Sequence, residues 1–403
     1  MRLTIVAGAR PNFMKIAPLI HAIERGSSYA SSYASSYAGI RRTEKALEDG
    51  ERLKYRLVHT GQHYDPKLSA TFFDELGIPQ PHVNLEVGSG TQAEQTAGIM
   101  LGFEKELMAH PSDLVIVVGD VTSTMACSIT AKKLNTKVAH IEAGIRSFDL
   151  TMPEEINRMV TDSITDLFFT TSQFANENLR KAGVPEDKIF FVGNVMIDTL
   201  LANRSRFIKP AIWDELLLKD KGYIVITLHR PNNVDEPENL RKLLSAITGS
   251  AGDLPVIFPV HPRTRKVINE FSPAVPDSLR DRDFVASQLR LQSGLKSMHF
   301  VDPMGYLEFN YLVERAFAVI TDSGGITEET TVMGVPCMTL RNSTERPETC
   351  TVGTNELLGT DPAAIKPAME RLFAGKWKKG NIPELWDGKA AERIVETLLR
   401  NAE

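Results

Sequence analysis

The sequence predicts an α/β protein built from parallel β-sheets in two domains. Short apolar strands recur along the chain, and most are separated by segments with helical spacing. Apolar strands that alternate with helices are typical of parallel sheets covered on both faces. The chain has 403 residues, which corresponds to roughly two to three domains at about 150 residues each.

The strands fall into two series. The first series is predicted at residues 3–7, 55–60, 114–118, 138–141, 167–171 and 189–192. The second series is predicted at residues 223–228, 256–260, 298–301, 317–321 and 337–340. Helical spacing is clearest at 91–108 and 123–134, and a terminal helix is predicted at 389–399. A boundary between two domains is expected near 193–203, before the polar stretch 204–221.

Composition excludes several classes of protein. The formal net charge is −5, whereas a general nucleic-acid binder needs a basic face. An anionic small ligand remains possible, because a site can be locally positive in an acidic protein. The three cysteines show no CxxC spacing, so neither a disulfide scaffold nor a structural zinc site is expected. The apolar N-terminus is too short for a signal peptide, and no run of about 18 apolar residues is present. We therefore expect a cytoplasmic protein that does not contact a membrane.

Residues 27–38 are three copies of Ser-Ser-Tyr-Ala. A period of four could place the tyrosines along one stripe of a helix. The alternative is a low-complexity insertion in the loop after the first helix, since loops accept extra length at little cost. We favour the insertion and expect no function for it.

Polar residues and glycines gather where the predicted strands end. They occur at 8–12, 60–65, 119–120, 140–144, 228–231, 260–262 and 322–325. Ligands of open α/β sheets bind outside the carboxyl ends of the strands. Each segment alone could be a turn or a helix cap. Their recurrence in both halves indicates a cleft lined by two domains.

Residues 322–329, Asp-Ser-Gly-Gly-Ile-Thr-Glu-Glu, form the best candidate anion site. Glycines allow close approach of a ligand, and the helix that follows offers free backbone N–H groups. Ser323 could add a hydroxyl donor, and a glutamate could accept from a ribose diol. The alternative is that Asp322 or Ser323 caps the helix and the glutamates lie on its surface.

Three further groups have a structural and a functional interpretation. Arg10 and Lys15 lie near a helix start, where cations oppose the dipole, so they bind either phosphate or a neighbouring carboxylate. Arginines in 341–348 suit phosphate, or form a charged surface loop. Glu154 and Arg158 are four residues apart, and taken alone this spacing favours a surface ion pair.

Taken together, the motifs resemble the non-hydrolysing UDP-N-acetylglucosamine 2-epimerase family. They run in this order: Gly-Ala-Arg-Pro at 8–11, Gly-Asp at 119–120, His-Ile-Glu-Ala-Gly-Ile-Arg at 140–146, Pro-Glu-Glu-x-Asn-Arg at 153–158, His-Arg at 229–230, Pro-Val-His-Pro at 259–262, Asp-Ser-Gly-Gly-Ile at 322–326 and Thr-Glu-Arg-Pro-Glu at 344–348. The resemblance covers about residues 3–360, apart from the Ser-Ser-Tyr-Ala repeat.

The resemblance implies a glycosyltransferase-B-like fold, with two Rossmann-like domains facing across a cleft. The expected domains are 1–198, completed by a C-terminal helix in 385–403, and 199–384, which binds UDP. The implied reaction interconverts UDP-N-acetylglucosamine and UDP-N-acetylmannosamine for cell-surface polysaccharide precursors. It needs no cofactor and no metal, and family members are usually homodimers.

The resemblance also implies site residues. The expected catalytic residues are three carboxylates and a histidine that faces the diphosphate: Asp120, Glu142, Glu154 and His229. The expected substrate-binding residues are Arg10, Lys15, Arg158, His261, Ser323, Gly324, Gly325, Glu329 and Arg346, with Glu329 at the ribose hydroxyls.

Three positions, at two sites, depart from the bacterial pattern of the family. Asn12 stands where Glu is common, and Pro231 and Asn232 stand where Arg-Glu follows the His-Arg pair. A 2-epimerase of a C3- or C6-modified UDP-N-acetylhexosamine is therefore an alternative. The sequence is also compatible with a UDP-sugar glycosyltransferase on the same fold and with a non-catalytic nucleotide-sugar sensor.

Overall fold

Two parallel sheets organise the chain, as a computed structural model shows. The structure describes residues 1–8, 10–33, 53–61, 75–260, 264–265, 267–268 and 297–401, with only the backbone described at 10–11 and 26–33. Two compact units divide the chain: Met1–Asn203 together with Glu384–Glu403, and Arg204–Pro383. We call them unit 1 and unit 2.

Unit 1 contains a seven-stranded sheet in the order β3-β2-β1-β4-β5-β6-β7. Its strands are β1 (Arg2–Ala7), β2 (Lys54–His59), β3 (Val83–Asn84), β4 (Leu114–Val118), β5 (Lys137–Ile141), β6 (Leu167–Thr170) and β7 (Ile189–Phe191). All the strand pairs are parallel. Every residue of β4 is buried, as expected for a central strand with helices on both faces.

The helices of unit 1 connect these strands. They are α1 (Arg10–Tyr33), α2 (Gln92–Ala109), α3 (Thr122–Lys133), α4 (Pro153–Ile164), α5 (Gln173–Lys181) and α6 (Val195–Asn203). Helix α2 begins with a capping box, in which Thr91 and Glu94 exchange side-chain and backbone hydrogen bonds. A core of strand residues and of Ile99, Phe103 and Leu107 on α2 lies beneath these helices.

Unit 2 contains a six-stranded parallel sheet in the order β10-β9-β8-β11-β12-β13. Its strands are β8 (Ile224–Thr227), β9 (Val256–Pro259), β10 (Met298–Val301), β11 (Ala318–Thr321), β12 (Cys337–Thr339) and β13 (Asn355–Leu357). Its helices are α7 (Ala211–Glu215), α8 (Pro231–Val234), α9 (Pro237–Ser250), α10 (Tyr306–Arg315), α11 (Gly324–Met333), α12 (Pro347–Thr351) and α13 (Ile365–Phe373). The strand order is that of a Rossmann sheet.

The terminal helix α14 (Ala390–Arg400) belongs to unit 1, where it packs against α1 and α6. Gly193 allows close approach of the segment that leads into this helix: a Cβ there would lie 2.0 Å from the Leu385 carbonyl oxygen, and φ is +94°. Asp198 on α6 then accepts hydrogen bonds from the backbone N–H groups of Ala390 and Ala391, at 3.1 and 2.7 Å.

The predicted α/β class with two Rossmann-like sheets is confirmed, and the predicted strands agree with the structure to within a residue or two. Two short edge strands, β3 and β13, were missed because neither has a run of apolar residues. The prediction that the repeat at 27–38 is a loop insertion is wrong for its first seven residues. They are helical, because α1 continues through Tyr33. The remaining repeat residues lie outside the described part. None of the helices in the described ranges is long and apolar enough to cross a membrane.

Candidate functional site

Each sheet has one point where the strand order reverses. In unit 1 this switch lies between β1 and β4, and in unit 2 it lies between β8 and β11. The segments that leave two such strands turn to opposite faces, which opens a crevice at their carboxyl ends. A ligand site of each unit is therefore expected at its own switch point.

Glu142 follows β5 directly, and its carboxylate is paired with a cation. Lys15 Nζ, on α1, donates to Glu142 Oε2 at 2.7 Å, and both side chains are buried. The backbone of Glu142 is left-handed, with φ of +71°, and its N–H donates to the Phe169 carbonyl at 3.0 Å. A left-handed non-glycine residue costs on the order of 1 kcal/mol. The Glu142 carboxylate that pairs with Lys15 is thus carried by a strained backbone.

Gly119 makes room for that pair. It ends β4 with φ of +71°, and a Cβ there would lie 2.9 Å from Lys15 Nζ and 3.5 Å from Glu142 Oε2. Any larger residue would displace the ammonium group. The Gly-Asp motif therefore requires glycine for two reasons: the backbone at Gly119 is left-handed, and the Lys15 ammonium group lies too close for a side chain.

Asp120 follows Gly119 and is held by α4. The Arg158 guanidinium donates to Asp120 Oδ2, and Asn157 Nδ2 donates to the Asp120 carbonyl at 2.8 Å. The Asp120 side chain is a quarter exposed, whereas Arg158 is buried. One face of a carboxylate is thus fixed while part of it remains open to solvent.

Arg158 is fixed in turn by a second buried carboxylate. Its Nη1 donates to Glu155 Oε2 at 2.8 Å, and Glu155 also accepts from the Ser147 N–H at 2.9 Å and the Phe148 N–H at 3.1 Å. Burial raises the pKa of Glu155, but these hydrogen bonds and the Arg158 charge outweigh it and lower that pKa. Glu155 therefore anchors Arg158 as a carboxylate.

Glu154 lies in the first turn of α4 and is half-buried. The predicted surface pair between Glu154 and Arg158 is wrong. Arg158 is buried and turns to Asp120 and Glu155 instead, because the inner face of α4 points at the β4 turn. Asp120, Glu142 and Glu154 consequently start from the ends of β4 and β5 and from the N-terminus of α4.

Asn12 is buried beside the same switch point. Its Nδ2 donates to the Val118 carbonyl at 2.7 Å, and its Oδ1 accepts from the Gly8 N–H at 3.3 Å. The amide thereby ties the end of β1 to the end of β4. Both of its polar ends bond the backbone, which explains an amide at this position in structural terms.

In unit 2, Asp322 organises the end of β11. It is fully buried and accepts from the backbone N–H groups of His229 and Arg230, from Asn233 Nδ2 at 3.1 Å and from His229 Nδ1 at 2.9 Å. Burial raises the pKa of Asp322, but His229 and the other donors outweigh it and lower that pKa. Asp322 is therefore a carboxylate that orients His229, whose own side chain is 45% exposed.

Helix α11 begins immediately after Asp322. Ser323 is its N-cap, but the Ser323 side chain makes no capping hydrogen bond, and Asp322 is occupied by His229 and its neighbours. The alternative in which Ser323 is the N-cap is thus correct for its position, although its side chain contributes no hydrogen bond. The part of that alternative that puts the glutamates on the helix surface is wrong, because Glu328 and Glu329 are buried. The turn at Gly324 and Gly325 has no side-chain cap within the described residues, which leaves its N–H groups suited to an anion.

Glu329 lies one turn further along α11 and is buried. Tyr306 Oη donates to Glu329 Oε1 at 3.0 Å. Burial raises the pKa of Glu329 to about 7, and the nearby Glu328 charge adds to this, against the hydrogen bond from Tyr306. Glu329 thus changes charge near neutral pH.

Arginines surround the start of α11, each with an acidic partner. The Arg346 guanidinium donates to Glu328 Oε1, and Arg341 Nη2 lies 2.6 Å from Glu345 Oε2. Glu345 also lies close to Gly324, where a Cβ would meet its Oε1 at 3.4 Å. The alternative of a charged surface loop at 341–348 is wrong, because Arg341 and Arg346 are buried.

The structure brings most predicted residues to one of the two switch points. Arg10 is the first residue of α1, but its side chain and the whole of His261 lie outside the described residues. Among the described residues, no cluster of three His, Cys, Asp or Glu is arranged to hold a metal ion. The sequence placed Asp322 in the candidate anion site but indicated no role for it in orienting His229. It also assigned no role to several residues that position others, although His140 is a polar side chain in an apolar strand: His140, Glu155, Asp162, Asn233, Tyr306 and Glu345.

Comparison with known proteins identifies the family. The family model described as UDP-N-acetylglucosamine 2-epimerase matches residues 45–399. This chain belongs to the UDP-N-acetylglucosamine 2-epimerase family. It is therefore a member of a family of isomerases, as the resemblance predicted.

Relatives within the family cover nearly the whole chain. The UDP-N-acetylglucosamine 2-epimerase of Methanocaldococcus jannaschii is 37% identical over 99% of both chains. The UDP-2,3-diacetamido-2,3-dideoxy-D-glucuronate 2-epimerase of Pseudomonas aeruginosa is 34% identical over 99% of this chain and 100% of its own. A crystal structure of the M. jannaschii enzyme with UDP-GlcNAc and UDP has a TM-score of 0.80, covering 99% of this chain and 100% of that one at 36% identity.

Proposed function

We propose that this protein interconverts UDP-N-acetylglucosamine and UDP-N-acetylmannosamine by eliminating UDP and adding it back with inversion at C2. One observation carries the proposal beyond family membership. The carboxylates Asp120, Glu142 and Glu154 lie at the carboxyl ends of the adjacent strands β4 and β5 and at the N-terminus of α4, all in unit 1. An uncapped helix start beside a solvent-exposed histidine in unit 2 supplies the complementary chemistry.

The chemistry explains why both kinds of group are needed. The C2 proton of the sugar has no neighbouring carbonyl, so its direct removal is very unfavourable. Departure of UDP, first or in concert, places positive character on C1 and acidifies C2. A carboxylate then takes the C2 proton and leaves a 2-acetamidoglucal. Addition of UDP to C1, with protonation of C2 from the opposite face, gives the epimer. Positioned general acids and bases contribute about 10²–10⁴-fold to such steps.

In this proposal unit 1 performs the proton transfers. Asp120, Glu142 and Glu154 share the acid and base roles. Lys15 and Arg158 hold Glu142 and Asp120, respectively, in fixed directions through ion pairs. Fixed acid and base groups are effective because little reorganisation is needed in the transition state.

Unit 2 binds and stabilises the leaving group. The backbone N–H groups at Gly324 and Gly325, the Ser323 hydroxyl, His229 and Arg346 would contact the diphosphate. Donors aimed at a developing anion are often the largest single contribution to catalysis. Glu329 would accept from the ribose hydroxyls, and His261 would complete the set of substrate contacts.

A C3- or C6-modified UDP-N-acetylhexosamine is a second candidate substrate. The observation that favours it is the P. aeruginosa relative, whose name specifies such a sugar. Asn12 does not add to this case, because its amide bonds the backbone at Gly8 and Val118. UDP-N-acetylglucosamine therefore remains the leading substrate.

The protein is proposed to act as a homodimer in the cytoplasm, supplying precursors of cell-surface polysaccharides. Helix α4 exposes Ile156 and Met159, and α2 exposes Leu101 and Met108, each at more than four-tenths of its surface. Several large apolar side chains on the outer faces of helices suit burial against a second copy.

Incubation with UDP-N-acetylglucosamine in D₂O, followed by proton NMR, tests the function. We expect the manno epimer to form, with deuterium at C2 of both sugars, because the C2 proton exchanges with solvent. Absence of both the epimer and deuterium would refute the proposal for that substrate. The same incubation with UDP-2,3-diacetamido-2,3-dideoxyglucuronate tests the second candidate.

The matched control is Asp120→Asn, which keeps the shape of the side chain and removes its basicity. This variant should lose about 10²–10⁴-fold in kcat. If Asp120→Asn epimerised at the normal rate, Asp120 would have no catalytic role. A nucleotide-sugar sensor would bind the sugar but incorporate no deuterium, and a glycosyltransferase would release UDP only with an acceptor.

A further inference from the structure

His140 lies in β5, two residues before Glu142, and its side chain is fully buried. Both ring nitrogens have partners. Nδ1 lies 2.7 Å from Asp162 Oδ1 on α4, and Nε2 lies 2.9 Å from the carbonyl oxygen of Gly119. The ring therefore bridges α4 and the turn that carries Asp120.

The identities of these partners decide where the protons are. A carbonyl oxygen can only accept, so Nε2 must carry a proton. Asp162 Oδ2 also accepts from the Gly144 N–H at 3.0 Å and lies 2.7 Å from Arg146 Nη1. A carboxyl group surrounded by donors is ionised and also acts only as an acceptor. Nδ1 must therefore carry a proton as well.

The electrostatics of Asp162 agree with that geometry. Burial raises the pKa of Asp162, but the charges and hydrogen bonds of His140 and Arg146 outweigh it and lower that pKa. Asp162 is thus an anion that can hold two cations.

We infer that His140 is a buried imidazolium that positions the Gly119-Asp120 turn for catalysis. It is a positioning residue, since its bonds go to Gly119 and Asp162 and it acts through the neighbouring Asp120. This inference rests on the proposed function only for its effect on the rate, and the charge of the ring stands independently.

The charges packed around this turn support a cationic ring. The cations lie on α1, on β5, in the loop between β5 and α4, and on α4. The carboxylates lie at the ends of β4 and β5 and on α4. With His140 protonated, the ion pairs described around this turn join four cations to four carboxylates: Lys15, His140, Arg146 and Arg158 with Asp120, Glu142, Glu155 and Asp162. The half-buried Glu154 adds one more carboxylate at the start of α4. A neutral ring would leave an excess of buried negative charge, which is costly in a low-dielectric interior.

The bonds around Gly119 show how the ring would position Asp120. The Gly119 N–H donates to the Ile141 carbonyl at 3.0 Å, and its carbonyl accepts from His140. Both backbone groups of Gly119 are therefore held by β5. The next carbonyl, that of Asp120, is held by Asn157 of α4. Removal of the His140 bond would free one side of this turn.

Nitrogen-detected or long-range ¹⁵N–¹H NMR of the full-length protein tests the charge directly. The His140 signals are assigned by their loss in His140→Gln. Near neutral pH, both Nδ1 and Nε2 of His140 should show the ¹⁵N shifts of protonated nitrogens, with slowly exchanging protons. A non-protonated nitrogen in this ring would overturn the inference.

Kinetics test the positioning role. Asp162→Asn keeps the side-chain shape but removes the negative charge that stabilises the imidazolium. The Nδ1 of His140 should therefore lose its proton. We expect kcat to fall roughly tenfold or more, with KM changed less than about twofold. The matched control is Asp166→Asn, which alters a carboxylate four residues away that binds Lys132 outside the site.

The outcomes separate the two proposals. If Asp162→Asn lost no more kcat than Asp166→Asn, the positioning role would be refuted. If the unaltered protein failed to epimerise UDP-N-acetylglucosamine, the proposed function would fail, whereas the NMR result would still decide the charge of His140. Recovery of the protonated Nδ1 signal in Asp162→Glu, with partial recovery of kcat, would support the role of the carboxylate.

Discussion

The two switch points share a strand order but present opposite chemistry. In unit 1 the side chains at the ends of β4 and β5 are carboxylates, and buried cations hold two of them. In unit 2 the end of β11 leads into a helix start without a side-chain cap, beside the partly exposed His229. Both edges contain buried ion pairs, but at the unit 2 edge the glycine-rich start of α11 also leaves backbone N–H groups available for an anion.

In our proposal, this difference lets one architecture divide a reaction into two tasks. Proton transfer needs side chains held in fixed directions, and ion pairs provide that. Release of a diphosphate needs donors that are satisfied only when the ligand is present, and an uncapped helix start provides them. The comparison can be tested by removing a partner in unit 1, by titrating unit 2 and by removing a cap elsewhere.

The largest effect is expected in unit 1, from Lys15→Met. This change leaves the buried Glu142 carboxylate without its ammonium partner. Breaking a buried pair by removing one partner costs about 3–5 kcal/mol. We expect the free energy of unfolding to fall by about that amount, measured by urea denaturation, and epimerase activity to be lost.

The double variant Lys15→Met with Glu142→Gln sharpens this test. Because both charges are gone, most of the stability should return, while activity should remain lost because Glu142 is catalytic in our proposal. An exposed pair, Arg180 with Glu186, is the control, and Arg180→Met should leave the denaturation midpoint almost unchanged. Equal effects of Lys15→Met and Arg180→Met would show that burial of the pair does not matter.

A smaller effect is expected in unit 2, from the titration of Glu329. Its pKa is raised to about 7 by burial, so its ionisation in the folded protein is unfavourable. The contribution of Glu329 to stability is therefore complete below its ordinary pKa and is lost as the pH rises through about 7. The shift from 4.5 to about 7 corresponds to a loss on the order of 3 kcal/mol. Glu329→Gln should remove this pH dependence of the melting temperature.

Ligand affinity should change in the opposite direction. A ribose diol donates, so it prefers the ionised Glu329, and binding should tighten as the pH rises. We expect the Kd of UDP-N-acetylglucosamine to fall roughly tenfold between about pH 6 and pH 8. Calorimetry on the Asp120→Asn variant measures binding without turnover. The same slope in Asp120→Asn with Glu329→Gln would exclude Glu329 as its source.

The smallest effect is expected where a helix start is capped. Asp198 accepts hydrogen bonds from the first backbone N–H groups of α14. The corresponding N–H groups of α11 have no side-chain cap. Asp198→Ala should lower the free energy of unfolding by about 1–2 kcal/mol, the usual cost of losing a cap. Its kcat should not change. Asp361→Ala, which removes an exposed cap at Ala363, should cost less.

Asp198 also provides a contrast with the proposed anion site. If Ser323→Asp introduced a cap at α11, the helix would gain stability and UDP-sugar affinity would fall, because the carboxylate would occupy the ligand position. A Ser323→Asp variant with normal affinity would show that this helix start does not bind the diphosphate. Asp198→Ala at α14 and Ser323→Asp at α11 thus measure the effect of removing a cap and of adding one.

Much of the fold and part of the site could be predicted from the sequence. Apolar strands separated by helical segments have few solutions other than parallel sheets, and motifs at 119–120, 142 and 322–325 follow strands directly. Their place at the carboxyl edge is a consequence of βα connectivity. The short edge strands β3 and β13 carried no such signal.

The pairing of the charged side chains required the tertiary structure. The spacing of Glu154 and Arg158 suggested a local pair, but strand order brings Asp120 to Arg158 across 38 positions of sequence. His140 belongs to an apolar strand, and only the packing of α4 against that strand places Asp162 at its ring. The sequence by itself determined the periodicity, the strand ends and the residue types, because these are local. The structure decided which charges meet, because burial and direction depend on elements that are distant along the chain.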